Sequence, residues 1–163
     1  MTRIGQGWDR HPLAAGRPCV LGGVRFPDCP VGPVGHSDGD ALCHAVTDAV
    51  LGAAGLGDIG AHFPDTDPAY AGADSLALLR KAWNLVAARG YRLGNLDCTV
   101  ITEQPLLAPR VPAMRAALAA ALDTEPDRVA VKATRGEGLG PEGRGECVTA
   151  LAVVLIERKD EGP

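Results

Sequence analysis

Between Asp38 and Ala54 the chain carries a helical pattern that contains no Lys, Arg, Glu or Gln. A helix apolar around most of its circumference must be covered on nearly every side. Its titratable polar residues, Asp40, His44 and Asp48, recur every four positions and therefore stack on one stripe. Burying two carboxylates and an imidazole costs several kcal/mol unless they are paired or bound to something. The stripe is thus expected to carry a site; the alternative is a solvated face on a surface helix, against which stands the absence of Lys, Arg, Glu and Gln. Ser37 or Asp38 is available as the helix N-cap, and Gly55 and Gly57 as its stop signals.

The material for covering that helix is small. Phe, Trp and Tyr total six residues, against 26 Ala and 21 Gly, so Leu, Val and Ala must supply the apolar bulk. With 163 residues, 46% of them hydrophobic, the chain suits one domain over 1–163, with a polar tail at 157–163. A net charge of -4 argues against a surface that binds nucleic acid or an anionic membrane through a general positive field. Local anion sites remain open to it. No apolar run approaches the ~20 residues of a membrane span, and Met1–Gly7 lacks a secretory pattern. The five scattered cysteines, with no C-x-x-C pair, read as small buried hydrophobes, and a cytoplasmic location is expected.

Along the chain, 2–7 reads as a short first strand ending in a Gly5-Gln6-Gly7 turn, and Arg17–Phe26 as a hairpin or bent strand around Gly22-Gly23. Residues 57–72 read as a loop. Asp74 or Ser75 caps a second helix that runs until Gly90, with Leu76, Leu79, Trp83 and Val86 at helical spacing. Strands are expected over Leu93–Thr102, Val129–Thr134 and Cys147–Glu157, and a third helix over Pro109–Leu122. The fold class is α+β (an α/β layer): a mixed sheet of about four or five strands with three main helices on one face. No helix remains for the other sheet face, so another subunit is its simplest cover.

The polar residues are unevenly placed. All four histidines precede residue 63, eight of thirteen aspartates precede residue 68, and no glutamate occurs before Glu103. Short, rigid carboxylates in one half of a chain suit turns and sites better than solubility. Asp9 and His11, two apart, share a strand face at a spacing of ~6.6 Å and could converge on one metal ion. The alternative is a turn carboxylate beside a surface histidine. Gly35-His36-Ser37-Asp38-Gly39-Asp40 opens the helix with a turn whose amides could hold a phosphate, or which could be an ordinary cap. One Asp with two His supplies three N/O ligands, a set that suits Zn2+ with an open fourth position.

Ile4-Gly-Gln-Gly-Trp-Asp9-Arg-His11, His36-Ser-Asp-Gly-Asp-Ala-Leu-Cys-His44, Gly57-Asp-Ile-Gly60, His62-Phe-Pro-Asp-Thr-Asp-Pro68 and Gly143-Arg-Gly-Glu146 together resemble the 2-C-methyl-D-erythritol 2,4-cyclodiphosphate synthase family. The resemblance runs from Arg3 to about Ile156. It implies a phosphorus-oxygen lyase of non-mevalonate isoprenoid biosynthesis. Such an enzyme turns 4-diphosphocytidyl-2-C-methyl-D-erythritol 2-phosphate into the cyclic diphosphate, with release of CMP. It further implies a homotrimer with active sites between subunits, and neither nucleic acid nor membrane as partner.

Carried over by position, Asp9, His11 and His44 would be zinc ligands, and Glu137 would reach Mg2+ or Mn2+ on the substrate diphosphate. His36 and Arg135 would act in catalysis, the latter standing where the family usually has Thr. Substrate contacts would come from Asp9, Arg10, His11, His36, Ser37, Asp58, Ile59 and Gly60, and from Phe63, Pro64, Asp65, Thr66 and Asp67. From a neighbouring subunit, Thr102, Glu103, Gln104, Pro105, Leu106, Leu107 and Ala108 would hold the cytosine, and Thr134, Arg135, Gly136, Glu137, Pro141 and Arg144 would serve the diphosphate side. Arg144 and Glu146 would lie near the trimer axis, where the resemblance implies a cavity for an isoprenoid diphosphate. Arg135, Leu106 and Pro141 depart from the family pattern on the nucleotide side. Two other readings stay open: a noncatalytic metal- or nucleotide-binding trimer, and a zinc phosphohydrolase.

Overall fold

The computed structural model describes residues 1–159; residues 160–163, the end of the expected tail, lie outside them. The first strand is far longer than expected: β1 runs from Thr2 to Ala15. Gly5, Gln6 and Gly7 are part of it and make no turn. β1 pairs antiparallel with the last strand, β7 (Cys147–Arg158), from Thr2↔Glu157 to Pro12↔Cys147. This long ladder overrides the weak strand preference of the two glycines. It also takes Glu157 and Arg158 out of the expected tail.

After β1 come a hairpin of β2 (Val20–Leu21) and β3 (Val24–Arg25), then β4 (Val31–Pro33). Gly22 and Gly23 make the hairpin turn at φ 60° and 73°, a backbone that the two-residue hairpin loop demands. β4 was hidden by its Gly and Pro content, which an edge strand tolerates. It pairs with the end of β1, Ala15↔Val31.

Helix α1 (Ala41–Ala54) follows, with Asp40 rather than Ser37 or Asp38 as N-cap and Gly55 closing it in the left-handed conformation. The expected loop over 57–72 contains a short helix α2 (Ile59–His62) and a turn at Pro68–Tyr70, each opened by a capping aspartate, Asp58 and Asp67. Asp74 caps α3 (Ser75–Ala88). β5 (Tyr91–Ile101), α4 (Val111–Ala121), β6 (Val129–Thr134) and a one-turn α5 (Gly140–Gly143) lead to β7.

The main sheet has the order β4-β1-β7-β5-β6, with β5 and β6 parallel and the other pairs antiparallel. α1 lies on β1 and β7, and α3 and α4 complete the layer. The approach of α1 is unusually close. A Cβ at Gly5 would sit 1.9 Å from the carbonyl oxygen of Ala49, and one at Gly7 1.8 Å from that of Ala45. Leu42, Val46, Val50 and Leu51 of α1 are fully buried, each adding about 1.5–3 kcal/mol of apolar burial.

Among the described residues the opposite sheet face is covered by no long helix; only the one-turn α5 reaches it, through Glu142 at Arg10 and Thr149. Ile4, Trp8 and Val153 stand there 70%, 50% and 47% exposed, beside half-buried Leu151 and Leu155. Among the described residues no helix is long and apolar enough to cross a membrane.

Candidate active site and metal centre

The close contact of α1 with β1 has a direct consequence two residues further along the strand. Beyond Gly7, Asp9 and His11 keep the same strand parity and so face the helix at His44. Asp9 Oδ2 lies 2.9 Å from His11 Nε2 and 3.1 Å from His44 Nδ1, and the two imidazole nitrogens are 3.0 Å apart. Three donor atoms in a triangle of this size match the face of a tetrahedral zinc site, whose ligand atoms at ~2.0–2.1 Å from the ion stand about 3.3 Å from one another.

The remaining ring nitrogens are committed elsewhere, which orients both rings. His11 donates from Nδ1 to the carbonyl of Val34 at 2.7 Å, leaving the Nε2 lone pair for the cluster. His44 Nε2 is 2.8 Å from Ser75 Oγ and 3.0 Å from Ser37 Oγ. Because Ser75 donates its own hydroxyl hydrogen to Asp38, it accepts from His44, so Nδ1 is the free ligand atom. Burial alone would raise the Asp9 carboxyl, but hydrogen bonds and charge from His11 and His44 hold it far below the usual carboxylate range. For His11, burial opposes protonation, and the Asp9 carboxylate more than offsets it, raising the imidazole.

The stripe on α1 divides among three tasks. Asp40 is wholly buried and accepts from the backbone N–H groups of Gly22, Gly23 and Cys43 at 2.9, 2.7 and 3.0 Å. Burial pushes its carboxyl up, and those three donors oppose the rise. Asp48 accepts from Ile59 N–H at 2.7 Å and so fixes the start of α2. Of the three, only His44 reaches Asp9 and His11. In the preceding turn the N–H groups of Asp38, Gly39 and Asp40 are taken up by Ala73 O, Ser37 Oγ and Asp38 Oδ1, so these three amides are not open to a phosphate.

The cluster opens into a cavity of about 470 Å³ lined by His11, His36, Ser37, His44, Ile59, Gly60, Phe63, Pro64 and Asp65, together with Val34, Gly35, Tyr70 and Leu78. Asp58 accepts from Ala61 N–H and Asp67 from Ala69 N–H, so these two carboxylates cap turns. The Asp67 carbonyl accepts from His36 Nε2 at 3.0 Å. Thr66 follows Asp65 on the exposed rim. His62, which the sequence left without a role, bonds through Nε2 to the carbonyl of Leu56 at 2.8 Å. Val34, Ser75, Asp38 and Tyr70 were missed as site residues. Of these, only Ser75 and Asp38 carried a signal, as candidate caps.

A second cluster forms at the carboxyl ends of the parallel strands β5 and β6. Thr102 N–H donates to Thr134 O at 3.1 Å and joins two segments far apart in sequence. A cavity of about 160 Å³ there is lined by Thr102, Glu103, Pro105, Leu106, Leu107, Ala108, Ala133, Thr134 and Arg135. Glu103 Oε1 is buried and has no partner among the described residues. Gln104 lies instead in a neighbouring groove with Phe26 and Arg110. Gly136, Glu137, Pro141 and Arg144 lie on the segment beyond, where Glu137 is exposed and Arg144 pairs with Glu146 at 2.7 Å. Arg10 points away from Asp9 and His11, onto the open sheet face, where it bonds Glu142 at 2.6 Å. No residue lines both cavities.

Comparison with known proteins agrees with this arrangement. The chain is 56% identical over 157 residues to 2-C-methyl-D-erythritol 2,4-cyclodiphosphate synthase of Geobacter sulfurreducens, covering 96% of this chain and 99% of that one. Among solved structures, it superposes on a 2C-methyl-D-erythritol-2,4-cyclodiphosphate synthase in its CDP-bound form with a TM-score of 0.87 and 44% identity, covering 95% of this chain and all of that one. It also matches the bifunctional IspDF of Campylobacter jejuni (TM-score 0.93, 41% identity), covering 98% of this chain but spanning only 43% of that longer one. The profile of the YgbB family matches residues 2–157, and with the fold and the paired clusters in agreement, the chain belongs to that family.

Proposed function

We propose that this chain is a 2-C-methyl-D-erythritol 2,4-cyclodiphosphate synthase, converting 4-diphosphocytidyl-2-C-methyl-D-erythritol 2-phosphate to the cyclic diphosphate and CMP. The observation that carries this reading is the Asp9–His11–His44 triangle opening into a cavity walled by His36 and Ser37. An oxygen of the 2-phosphate attacks the β-phosphorus, and CMP leaves with the electrons of the broken P–O bond. The barrier is largely repulsion between two anions and their alignment. Asp9, His11 and His44 would hold Zn2+ and Glu137 would reach Mg2+ or Mn2+, and these ions would supply charge neutralisation for the anionic substrate. The donor set fits the first ion: two imidazole nitrogens and one carboxylate oxygen, without sulfur.

On this reading His36 and Ser37 hold phosphate oxygens, and Phe63–Asp67 wall the methylerythritol pocket. Asp58–Gly60 contact the ribose. Thr102–Ala108 grip the cytosine, and Arg135 supports the transition state from the Thr134–Glu137 segment. The two clusters line separate cavities in one chain, and we assign them to one site formed between adjacent subunits of the homotrimer that the family resemblance implies. The uncovered apolar face at Ile4, Trp8 and Val153 and the unpartnered Glu103 oxygen support that assignment. The domain is taken as 1–163, in the cytoplasm, where five free thiols persist.

Purified protein with Zn2+ and Mg2+ is expected to release CMP and form a cyclic diphosphate seen by 31P NMR, with no oxygen from labelled water. Label in the product would establish the phosphohydrolase reading instead. Tight CDP binding with no turnover would favour the noncatalytic one.

A further inference from the structure

Arg10 follows a metal ligand in sequence yet faces the other way, and it is the centre of a closed network. Its guanidinium donates to Glu142 Oε1 at 2.6 Å and through Nε to Thr149 Oγ1 at 2.9 Å, while Thr149 Oγ1 donates to the same Glu142 oxygen at 2.6 Å. Thr149 is buried, and the Glu142 side chain is only 13% exposed. The Arg10 side chain is 41% exposed, so the ion pair lies at the surface; what fixes its geometry is the buried Thr149 hydroxyl, bonded to both partners. The Arg10 guanidinium also lies 5.1 Å from the ring centre of Trp8, which restricts it from a second side.

What the network holds is a segment folded back on itself. A Cβ at Gly136 would sit 2.3 Å from the backbone nitrogen of Gly143, and one at Gly143 would lie 2.6 Å from the carbonyl carbon of Gly138. Backbone is therefore packed on backbone, and the place of Glu142 sets the place of Gly136 and Glu137. Glu137 itself has φ 53°, a left-handed conformation that a residue with a side chain keeps only where its surroundings determine it. The segment's far end is tied to β1 as well, by Leu13 N–H donating to Glu146 O at 2.9 Å.

We propose that Arg10 is a positioning residue: through Glu142 and Thr149 it locks the Thr134–Glu137 segment to the strand that bears Asp9 and His11. In the assembly assigned above, that strand serves one active site and that segment the adjacent one, so a single ion pair sets two neighbouring sites. The inference rests on the reading of Thr134–Glu137 as the diphosphate holder.

The test is calorimetric binding of CDP and CMP to zinc-loaded Arg10→Gln, Glu142→Gln and the swapped Arg10→Glu/Glu142→Arg protein. CMP lacks the β-phosphate, so a correctly placed segment matters to CDP alone. Both single variants are expected to lose about tenfold in CDP affinity while CMP affinity, zinc content and oligomer size hold, and the swap is expected to recover most of the loss. A merely structural role would move both nucleotides together, and that outcome, or an unchanged CDP preference in both single variants, overturns the inference. Equal affinity of the unaltered protein for CDP and CMP overturns the reading of Thr134–Glu137 and the inference with it.

Discussion

Nε2 of His11 and Nδ1 of His44 lie 3.0 Å apart although 33 residues separate them, and each ring is turned by a bond on its opposite nitrogen. The Val34 carbonyl turns one and the Ser75 hydroxyl the other. The orientation of both rings is thus a property of two side bonds that lie outside the Asp9–His11–His44 triangle.

Ser75→Ala removes one of them. The variant is expected to bind Zn2+ some 10- to 100-fold more weakly, as loss of an outer hydrogen bond to a ligating histidine does elsewhere. Competition with a chromophoric chelator measures this. His44→Ala, which loses the ligand itself, should retain no zinc and no turnover while its oligomeric state in light scattering is unchanged.

Gly7→Ala drives a methyl into the Ala45 carbonyl at 1.8 Å, with backbone on both sides and no flexible neighbour to yield. A loss of about 3 kcal/mol or more is expected, read as a lower urea midpoint. Gly52→Ala is the control: its added carbon meets nothing within 4 Å, so stability should hold or rise.

The Asp9–His11 pair makes metal-free stability depend on pH. Asp9 is lowered, so its contribution is present above its ordinary 3.8 and lost as pH falls through the depressed folded value. His11 is raised, so its contribution is complete below its ordinary 6.5 and lost as pH rises through the elevated folded value. Metal binding needs His11 deprotonated. The Tm difference between zinc-loaded and metal-free protein should therefore widen as pH rises above 6.5; a difference that is flat from pH 5 to 8.5 would contradict the assignment.

Trp8→Glu places a carboxylate on the open sheet face without touching the metal cluster. It is expected to convert the proposed trimer of the 16.8 kDa chain into monomers that keep zinc but lose CMP release, as measured by light scattering and by metal analysis.

Much of this was legible in the residues themselves. The apolar helix with His44 on it, the Gly22-Gly23 hairpin, the capping Asp74 and the uncovered sheet face all follow from periodicity and turn chemistry, which act locally. The misses share a cause. Gly5 and Gly7 read as a turn because a helix pressed against a strand 40 residues away leaves no local mark. Asp40 and Asp48 read as site carboxylates because spacing shows which residues share a stripe, not which backbone amides wait opposite. Val34 and Ser75 serve the ligands through one carbonyl and one hydroxyl, groups that nearly any sequence offers.

The separation of the two cavities in a single chain bears on genetics as much as on chemistry. A variant crippled in His44 and one crippled in Arg135 would each be dead alone, yet would lack different halves of the site. Co-expressed and mixed in one assembly, they would rebuild an intact site wherever the sound half of one chain met the sound half of its neighbour. Two null alleles of this gene would then complement each other within the same locus.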